Sequence, residues 1–110
     1  MRYLLLLTTD ATPGAVPPPA AVLQRFTVDL IHAGVLLAGE LLADDGLLVE
    51  LQADGPCRIA DAPALDTSAT ALWIVQTSDR AEAVEWARRL PLDRGRVEVR
   101  RIVSGAAAHA

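Results

Sequence analysis

Residues 70–103 read TALWIVQTSDRAEAVEWARRLPLDRGRVEVRRIV, and this stretch decides the fold. The run 70–76 is apolar and has the length of a buried strand. Asp79, with Glu82 three residues later, is a pattern typical of the start of a helix, and a proline then ends that helix. Residues 96–103 resemble the first run and indicate another strand. The stretch therefore predicts a strand–helix–strand unit.

The helix of this unit has two different faces. An acidic and basic outer face includes Glu85 and Arg89, whose four-residue spacing favours an ion pair. The opposite face is apolar and consists of Ala83, Trp86, Ala87 and Leu90. We expect that face to pack on a sheet.

The first half of the chain repeats the pattern. Residues 2–8 are an apolar run, and 9–19 form a loop that contains Gly14 and four of the seven prolines. Residues 20–33 have helical periodicity, and Gly34 is placed to end the helix. The core-facing stripe is predicted to be Val22, Leu23, Phe26, Leu30 and Ala33. Val28 and Ile31 lie off this stripe, either as surface aliphatics or under a partner subunit.

The middle of the chain predicts two more strands. Residues 35–43 form the first, in which Gly39 marks a bulge or a close backbone approach. Asp44-Asp45-Gly46 is a hairpin turn signal, and 47–51 is the expected partner strand. Residues 52–69 are predicted to be a loop.

The resulting order is β-α-β-β, a loop, then β-α-β. This order predicts an α+β, ferredoxin-like antiparallel sheet with two helices on one face. The other sheet face carries many leucine and valine side chains and needs a cover. A second copy of the chain is the simplest cover, so we expect a homodimer of the dimeric α+β barrel type.

Length and composition bound the function. The chain has 110 residues, which suits one domain, here residues 1–104, followed by a disordered tail at 105–110. A net charge of −4 and 4% aromatic residues argue against nucleic-acid binding. All ten basic residues are arginine, so Schiff-base chemistry through a lysine is excluded. The single cysteine fits a reducing, cytoplasmic location, and no apolar stretch is long enough to span a membrane.

Three stretches resemble one family when they are taken in order. They are AGVLLAGE at 33–40, DGP at 54–56, and EAVEWA with RLP and GRVEVR between 82 and 100. Together with the apolar first strand, they are similar to the YCII-related proteins that carry a DGPF motif, along nearly the whole chain. Cys57 stands where that family usually has Phe, and the polar loop that follows the motif has a different sequence in this chain.

The resemblance implies a dimeric α+β barrel and a regulatory context. Members of this branch are often encoded beside, or fused to, extracytoplasmic-function sigma factors, which makes a sigma factor a candidate partner. Some relatives in the wider superfamily are proposed to use a histidine on the first helix. The matching position here is near Leu23 or Gln24, so that histidine is absent.

Three charged residues are the candidates for ligand binding. Glu40 lies in an otherwise apolar strand and points either into a dimer cavity, where burial would shift its pKa, or outward to solvent. Asp54 belongs to the DGP motif, and it either forms a simple turn or contributes to a site. Arg100 shares a strand face with Glu98. It either pairs with Glu98 or clamps an anionic ligand.

Other polar residues favour structural interpretations. His32, one turn after Asp29, is predicted to be a solvated histidine, and His109 lies in the tail. Cys57 is expected to pack in place of the family's Phe rather than act as a nucleophile. The two histidines are too far apart for a metal site, so we expect no metal and no cofactor, and no catalytic residue is assigned.

Three hypotheses follow. The first is a homodimer that binds a small polar or anionic molecule, with or without catalysing a reaction. The second is a non-catalytic accessory protein that acts through protein contacts, for which apolar residues left exposed around Val28 and Ile31 would be the sign. The third is a cofactor-free oxygenase of the dimeric α+β barrel type, which the few histidines and aromatic residues favour least.

Overall fold

A computed structural model of the chain describes residues 1–61 and 67–103. The predicted tail at 105–110 lies outside these residues. Eight elements follow one another: β1 (Arg2–Asp10), α1 (Ala20–His32), β2 (Leu36–Leu41), β3 (Leu47–Glu50), β4 (Arg58–Asp61), β5 (Thr67–Gln76), α2 (Arg80–Arg88) and β6 (Arg96–Arg101). The predicted α+β class is confirmed.

Four strands form the main sheet, in the order β2-β5-β1-β6. Each neighbouring pair is antiparallel. The two central strands, β1 and β5, are joined over nearly their whole length, from Arg2 opposite Gln76 to Asp10 opposite Thr67. This arrangement is compatible with the predicted ferredoxin-like fold.

One face of the sheet carries the core. Alternate residues of the two central strands are buried there, because successive side chains of a strand point to opposite faces. Both helices pack on this face through Leu23, Phe26 and Leu30 of α1 and Ala83 of α2, with Leu90 just after α2. The buried strand residues are Tyr3, Leu5, Leu7, Ala71, Trp73 and Val75.

Trp73 is the centre of this core, and none of its surface is exposed. Its ring meets Phe26 edge to face at 4.9 Å between centroids, and its indole Nε1 donates to Thr27 Oγ1 at 2.8 Å. Gly39 packs so closely that an added Cβ would lie 2.9 Å from Trp73 Cδ1. The predicted close approach at Gly39 is therefore confirmed, and the bulge of β2 falls just before it, between Leu36 and Ala38.

The predicted helix ends are also confirmed. Gly34, just after α1, has a φ of 73°, which glycine adopts without steric cost. Asp79 accepts a hydrogen bond from the Glu82 backbone N–H at 2.9 Å, and Glu82 accepts bonds from the Ser78 N–H and hydroxyl. These bonds hold the pKa of Glu82 below its usual value, the Ser78 hydroxyl contributing most.

The predicted Glu85–Arg89 ion pair is wrong. Glu85 pairs instead with Arg88, three residues away, at 3.1 Å. Arg89 lies over the ring of Trp86, 4.4 Å from its centroid. Trp86 is only partly buried, so its exposed face attracts the guanidinium group.

The predicted hairpin between β2 and β3 is wrong as well. β2 pairs with β5 in the main sheet, whereas β3 pairs with β4, from Leu47 opposite Asp61 to Glu50 opposite Arg58. Strand β4 and the first residues of β5 lie in the segment that was expected to be a loop. We call the β3–β4 hairpin, residues 47–61, the arm.

The arm stands apart from the rest of the domain. Within the described residues, β3 and β4 contact each other extensively and no other element to a comparable extent. The Cα radius of gyration is 15.9 Å, larger than the ~13 Å expected for a compact domain of about 100 residues. The arm therefore projects from a body made of the main sheet and its two helices.

Candidate functional site

The sheet face opposite the helices, which we call the open face, carries two of the three predicted site residues. Glu40 pairs with Leu72 across β2 and β5, and Arg100 pairs with Leu4 across β6 and β1. Within the described residues, no helix or strand of the chain packs over this face. Its half-buried centre consists of Leu4, Leu6, Leu72 and Ile74.

Charged groups flank this apolar centre on both sides. On the β2 side stands Glu40, and on the β6 side stand Arg96, Glu98 and Arg100, which therefore carry a net positive charge. Three strand spacings of about 4.8 Å separate the two sides, so Glu40 and Arg100 lie ~14 Å apart or more. A single copy of the chain does not bring the two groups into contact.

Arg100 forms an ion pair with Glu98 on the same strand face. The pairing that was one of the two expectations is therefore present. Both side chains are substantially exposed, 72% for Arg100 and 45% for Glu98. An exposed pair of this kind contributes little to stability, and its guanidinium group is accessible to a ligand.

Asp54, the third predicted site residue, lies in the turn at the tip of the arm and is exposed. Gly55 beside it has a φ of 95°, so the Asp-Gly turn that was expected from the residue types is present. All three predicted residues are exposed in one copy of the chain. Two share the open face and the third stands on the arm.

A cleft of about 550 Å³, which the sequence did not indicate, opens at one end of the sheet. It lies between the proline-rich loop, the end of β2 and the start of β5. Thr9 and Thr70 share a hydrogen bond of 2.6 Å at its wall. Its polar lining consists of Thr9, Asp10, Thr12, Asp44, Ser68 and Thr70. The run Thr8-Thr9-Asp10, polar residues at the end of an apolar strand, was the signal that could have found it.

Asp10 organises the loop beside this cleft. Its Oδ1 accepts hydrogen bonds from the Thr12 backbone N–H at 2.9 Å and from the Thr12 hydroxyl at 2.7 Å. The backbone bond, then the hydroxyl bond, lowers the pKa of Asp10, and Arg94 adds a smaller effect in the same direction. The carboxylate is thus engaged in loop structure, and the cleft offers a ligand mainly hydroxyl groups.

The remaining candidates behave as surface groups. His32 is exposed, and Asp29 pairs with Arg25 at 3.5 Å. Cys57 is exposed, so the expectation that it packs within the chain is wrong. The residue lies on the arm, on which no other helix or strand of the described residues packs extensively. His109 lies outside the described residues.

The described part of the chain has neither a metal-binding group nor a membrane-spanning helix. Among residues 1–61 and 67–103, no group of three or more His, Cys, Asp and Glu side chains is arranged to hold a metal ion. No helix in the same ranges is long and apolar enough to cross a membrane.

Comparison with known proteins adds no assignment. Neither the models of known protein families nor the curated proteins include a match to this chain.

Proposed function

We propose that the chain is a DGPF-type, YCII-related protein of the cytoplasm, and that it forms a homodimer which binds a small polar or anionic molecule between two open faces. The observation that carries this proposal is the open face itself. It has an apolar centre suited to pairing and opposite charges along its two sides. An uncovered apolar face of this kind is characteristic of an interaction surface.

The charge distribution suits a two-fold pair. A two-fold axis parallel to the strands would set the β2 side of one copy over the β6 side of the other. Glu40 of each copy would then lie level with Glu98 of its partner and between Arg96 and Arg100, so that it would meet a strand of net positive charge, which is electrostatically favourable. The apolar centres would meet between these charged sides.

Such a pair would enclose groups that recognise small anions. An arginine offers a planar fork of donors that fits a carboxylate or a phosphate, and Glu40 would accept hydrogen bonds from a hydroxyl or an amine on the same ligand. These groups bind and orient a molecule. We therefore propose ligand binding as the function and assign no reaction.

The assembly is tested by placing a charge in the centre of the open face. Leu72→Glu should turn a dimer into a monomer, as measured by sedimentation velocity over a range of protein concentrations. Gln24→Glu, on the exposed side of α1, is the matched control and should remain a dimer. A wild-type chain that is monomeric at all concentrations would refute the proposal.

The ligand site is tested with inorganic phosphate and citrate as probes. Either anion should raise the melting temperature of the wild-type dimer, because binding to the folded state stabilises it. Arg100→Gln should abolish this shift. Arg101→Gln, the neighbouring arginine on the helix side of the strand, should preserve it. An equal shift of the melting temperature in all three proteins would show that the anions stabilise the fold without binding at Arg100.

A second function, an accessory protein that acts through protein contacts, is favoured by helix α1. Val28 and Ile31 are 39% and 55% exposed on its outer side. If a sigma factor docks there, Ile31→Asp should abolish co-purification with a co-expressed extracytoplasmic-function sigma factor and leave the dimer intact. Co-purification that is unaffected by this substitution would exclude the helix as the docking surface.

A further inference from the structure

We infer that the arm packs on the second copy of the chain and contributes Asp54 to the binding site on the partner's open face. This inference rests on the proposed homodimer and specifies how its site is completed. It explains why Asp54 stands apart from Glu40 and Arg100 in one chain. The three residues would meet only when two chains associate.

The arm has one apolar face without a cover. The pairing of Val49 with Ile59 defines this face, on which every large aliphatic side chain is more than half exposed. The opposite face carries Leu48 beside Ala60 and an ion pair of 3.9 Å between Glu50 and Arg58. The apolar face consists of Leu47, Val49, Leu51 and Ile59, with Asp61 opposite Leu47 at its edge. The arm is therefore a ribbon with one mixed side and one mainly apolar side suited to contact.

A ribbon of this kind is not stable by itself. An isolated two-stranded hairpin is at best marginally stable in water, and among the described residues no element of the body packs extensively on this one. The four large aliphatic residues Leu47, Val49, Leu51 and Ile59 are 56–84% exposed. In a standard interface each partner buries about 800 Å². The arm and the open face together supply the apolar part of such a surface.

The second copy is the occupant that the chain itself favours. Each chain has one uncovered arm and one uncovered open face, and both are apolar at the centre. In a two-fold dimer the contacts are reciprocal, so each arm can pack on the other copy. One association then covers both surfaces of both chains.

The arm is long enough to reach the site. Leu47 and Asp54 are seven positions apart, of which the strand covers Leu47–Glu50, and a chain of this length spans at most about 25 Å when fully extended. The distance from one side of the main sheet to the other is about 14 Å. An arm that begins beside the facing sheet can therefore bring Asp54 over the partner's open face, where its carboxylate adds to the polar lining.

The first test places the same charge on the two faces of the arm. Ile59→Glu should raise the dimer dissociation constant roughly tenfold or more, because a charge replaces an aliphatic group that the second copy covers in the inferred dimer. Ala60→Glu, one residue away on the opposite face, should leave it unchanged within about twofold. Both variants should keep the wild-type circular dichroism spectrum, because the arm does not pack on the body. Equal dissociation constants for both variants and the wild type would overturn the inference.

The second test uses Cys57, the single cysteine, as a marker on the arm. Thr8→Cys and Gln76→Cys introduce a thiol at either end of the open face, and Gln24→Cys introduces one on the helix side. A short bismaleimide should produce a covalent dimer with one of the two open-face variants and none with Gln24→Cys. Replacing Cys57 by serine should abolish that product. No covalent dimer with either open-face variant would overturn the inference.

The outcomes separate this inference from the function on which it rests. If Leu72→Glu gives a monomer while Ile59→Glu remains a tight dimer, the open faces associate without the arm, and only the inference fails. If the wild-type chain is a monomer, both fail. If Asp54→Asn weakens phosphate or citrate binding in a dimer that remains intact, Asp54 belongs to the site as inferred. An unchanged affinity would show that the arm brings no ligand group to the site.

Discussion

The body and the arm are built from the same aliphatic residues but differ in what covers them. In the body, Leu5, Trp73 and Val75 expose none of their surface. On the arm, Leu51 is 84% exposed and Ile59 is 69% exposed. The strands of the body pair in a four-stranded sheet under two helices, whereas those of the arm, as far as the chain is described, pair only with each other. Hydrophobic composition therefore does not locate a core, because burial also requires a second layer.

The two edges of the main sheet show the same contrast. Strand β6 has the sequence RVEVRR, whose charged side chains discourage another strand from pairing along this edge. Strand β2 has the sequence LLAGEL, with a single charge, and it leads into the arm. The unprotected edge and the uncovered arm lie next to each other in the chain. The arm therefore leaves the body on the β2 side of the open face, over which the second copy is proposed to lie.

The largest expected effect contrasts the centre of the body with the arm. Trp73→Ala should lower the free energy of unfolding by about 3–5 kcal/mol, because it leaves a cavity and removes the contact with Phe26. Ile59→Ala should change it by less than about 0.5 kcal/mol in a dilute monomer, as is usual for exposed sites. Urea denaturation followed by circular dichroism measures both.

Comparable losses for the two variants would break the contrast. They would mean that the arm folds as part of the body. A dilute monomer is needed for this experiment, because association would add the contacts of a second copy to the effect of Ile59→Ala.

Much of the body could be predicted from the sequence because its signals are local. The apolar run of β1, the helical stripe with Leu23, Phe26 and Leu30, and the Asp79–Glu82 cap each depend on neighbouring residues. The pairing of the middle strands could not be predicted in this way. Asp44-Asp45-Gly46 indicates a turn but does not show whether its two flanking strands pair with each other. Here β5 pairs with β2 instead.

The missing strand β4 has a physical explanation. It has only four residues, Arg58–Asp61, of which one is a large aliphatic, and it follows the DGP turn. A strand that short is defined by the strand with which it pairs, so its own residue pattern does not predict it. The same limit applies to the candidate site. The residue types singled out Glu40, Asp54 and Arg100, but their placement on the open face and on the arm depends on the strand pairing.

A smaller effect is expected for the hydrogen bond between the Trp73 indole and Thr27. Thr27→Val keeps the shape of the side chain but removes the hydroxyl that accepts the indole N–H at 2.8 Å. An unsatisfied buried donor costs about 1–3 kcal/mol, so we expect a loss in that range by urea denaturation. Thr27→Ser keeps the hydroxyl and should lose less. If the Thr27→Val variant were as stable as the wild type, the indole N–H of Trp73 would have another hydrogen-bond acceptor in the core.

The smallest expected effect is the loss of stability of the body in acid, through Glu82 at the start of α2. The hydroxyl and backbone N–H of Ser78 lower the pKa of Glu82 in the folded protein, below its usual 4.5. In the unfolded chain Glu82 regains that usual value, so the unfolded state binds the proton more readily. The stabilisation is therefore complete above pH 4.5 and is lost as the pH falls through the lower, folded-state pKa.

Glu82→Gln removes the titrating group and should make the melting temperature less dependent on pH between about pH 6 and about pH 3. It should also lower stability slightly at neutral pH, because an amide is a weaker acceptor than a carboxylate. Ser78→Ala removes only the hydroxyl bond and should reduce the pH dependence in part. If the glutamine variant and the wild type lose stability in parallel on acidification, the start of α2 does not contribute to acid sensitivity, and other carboxylates must account for it.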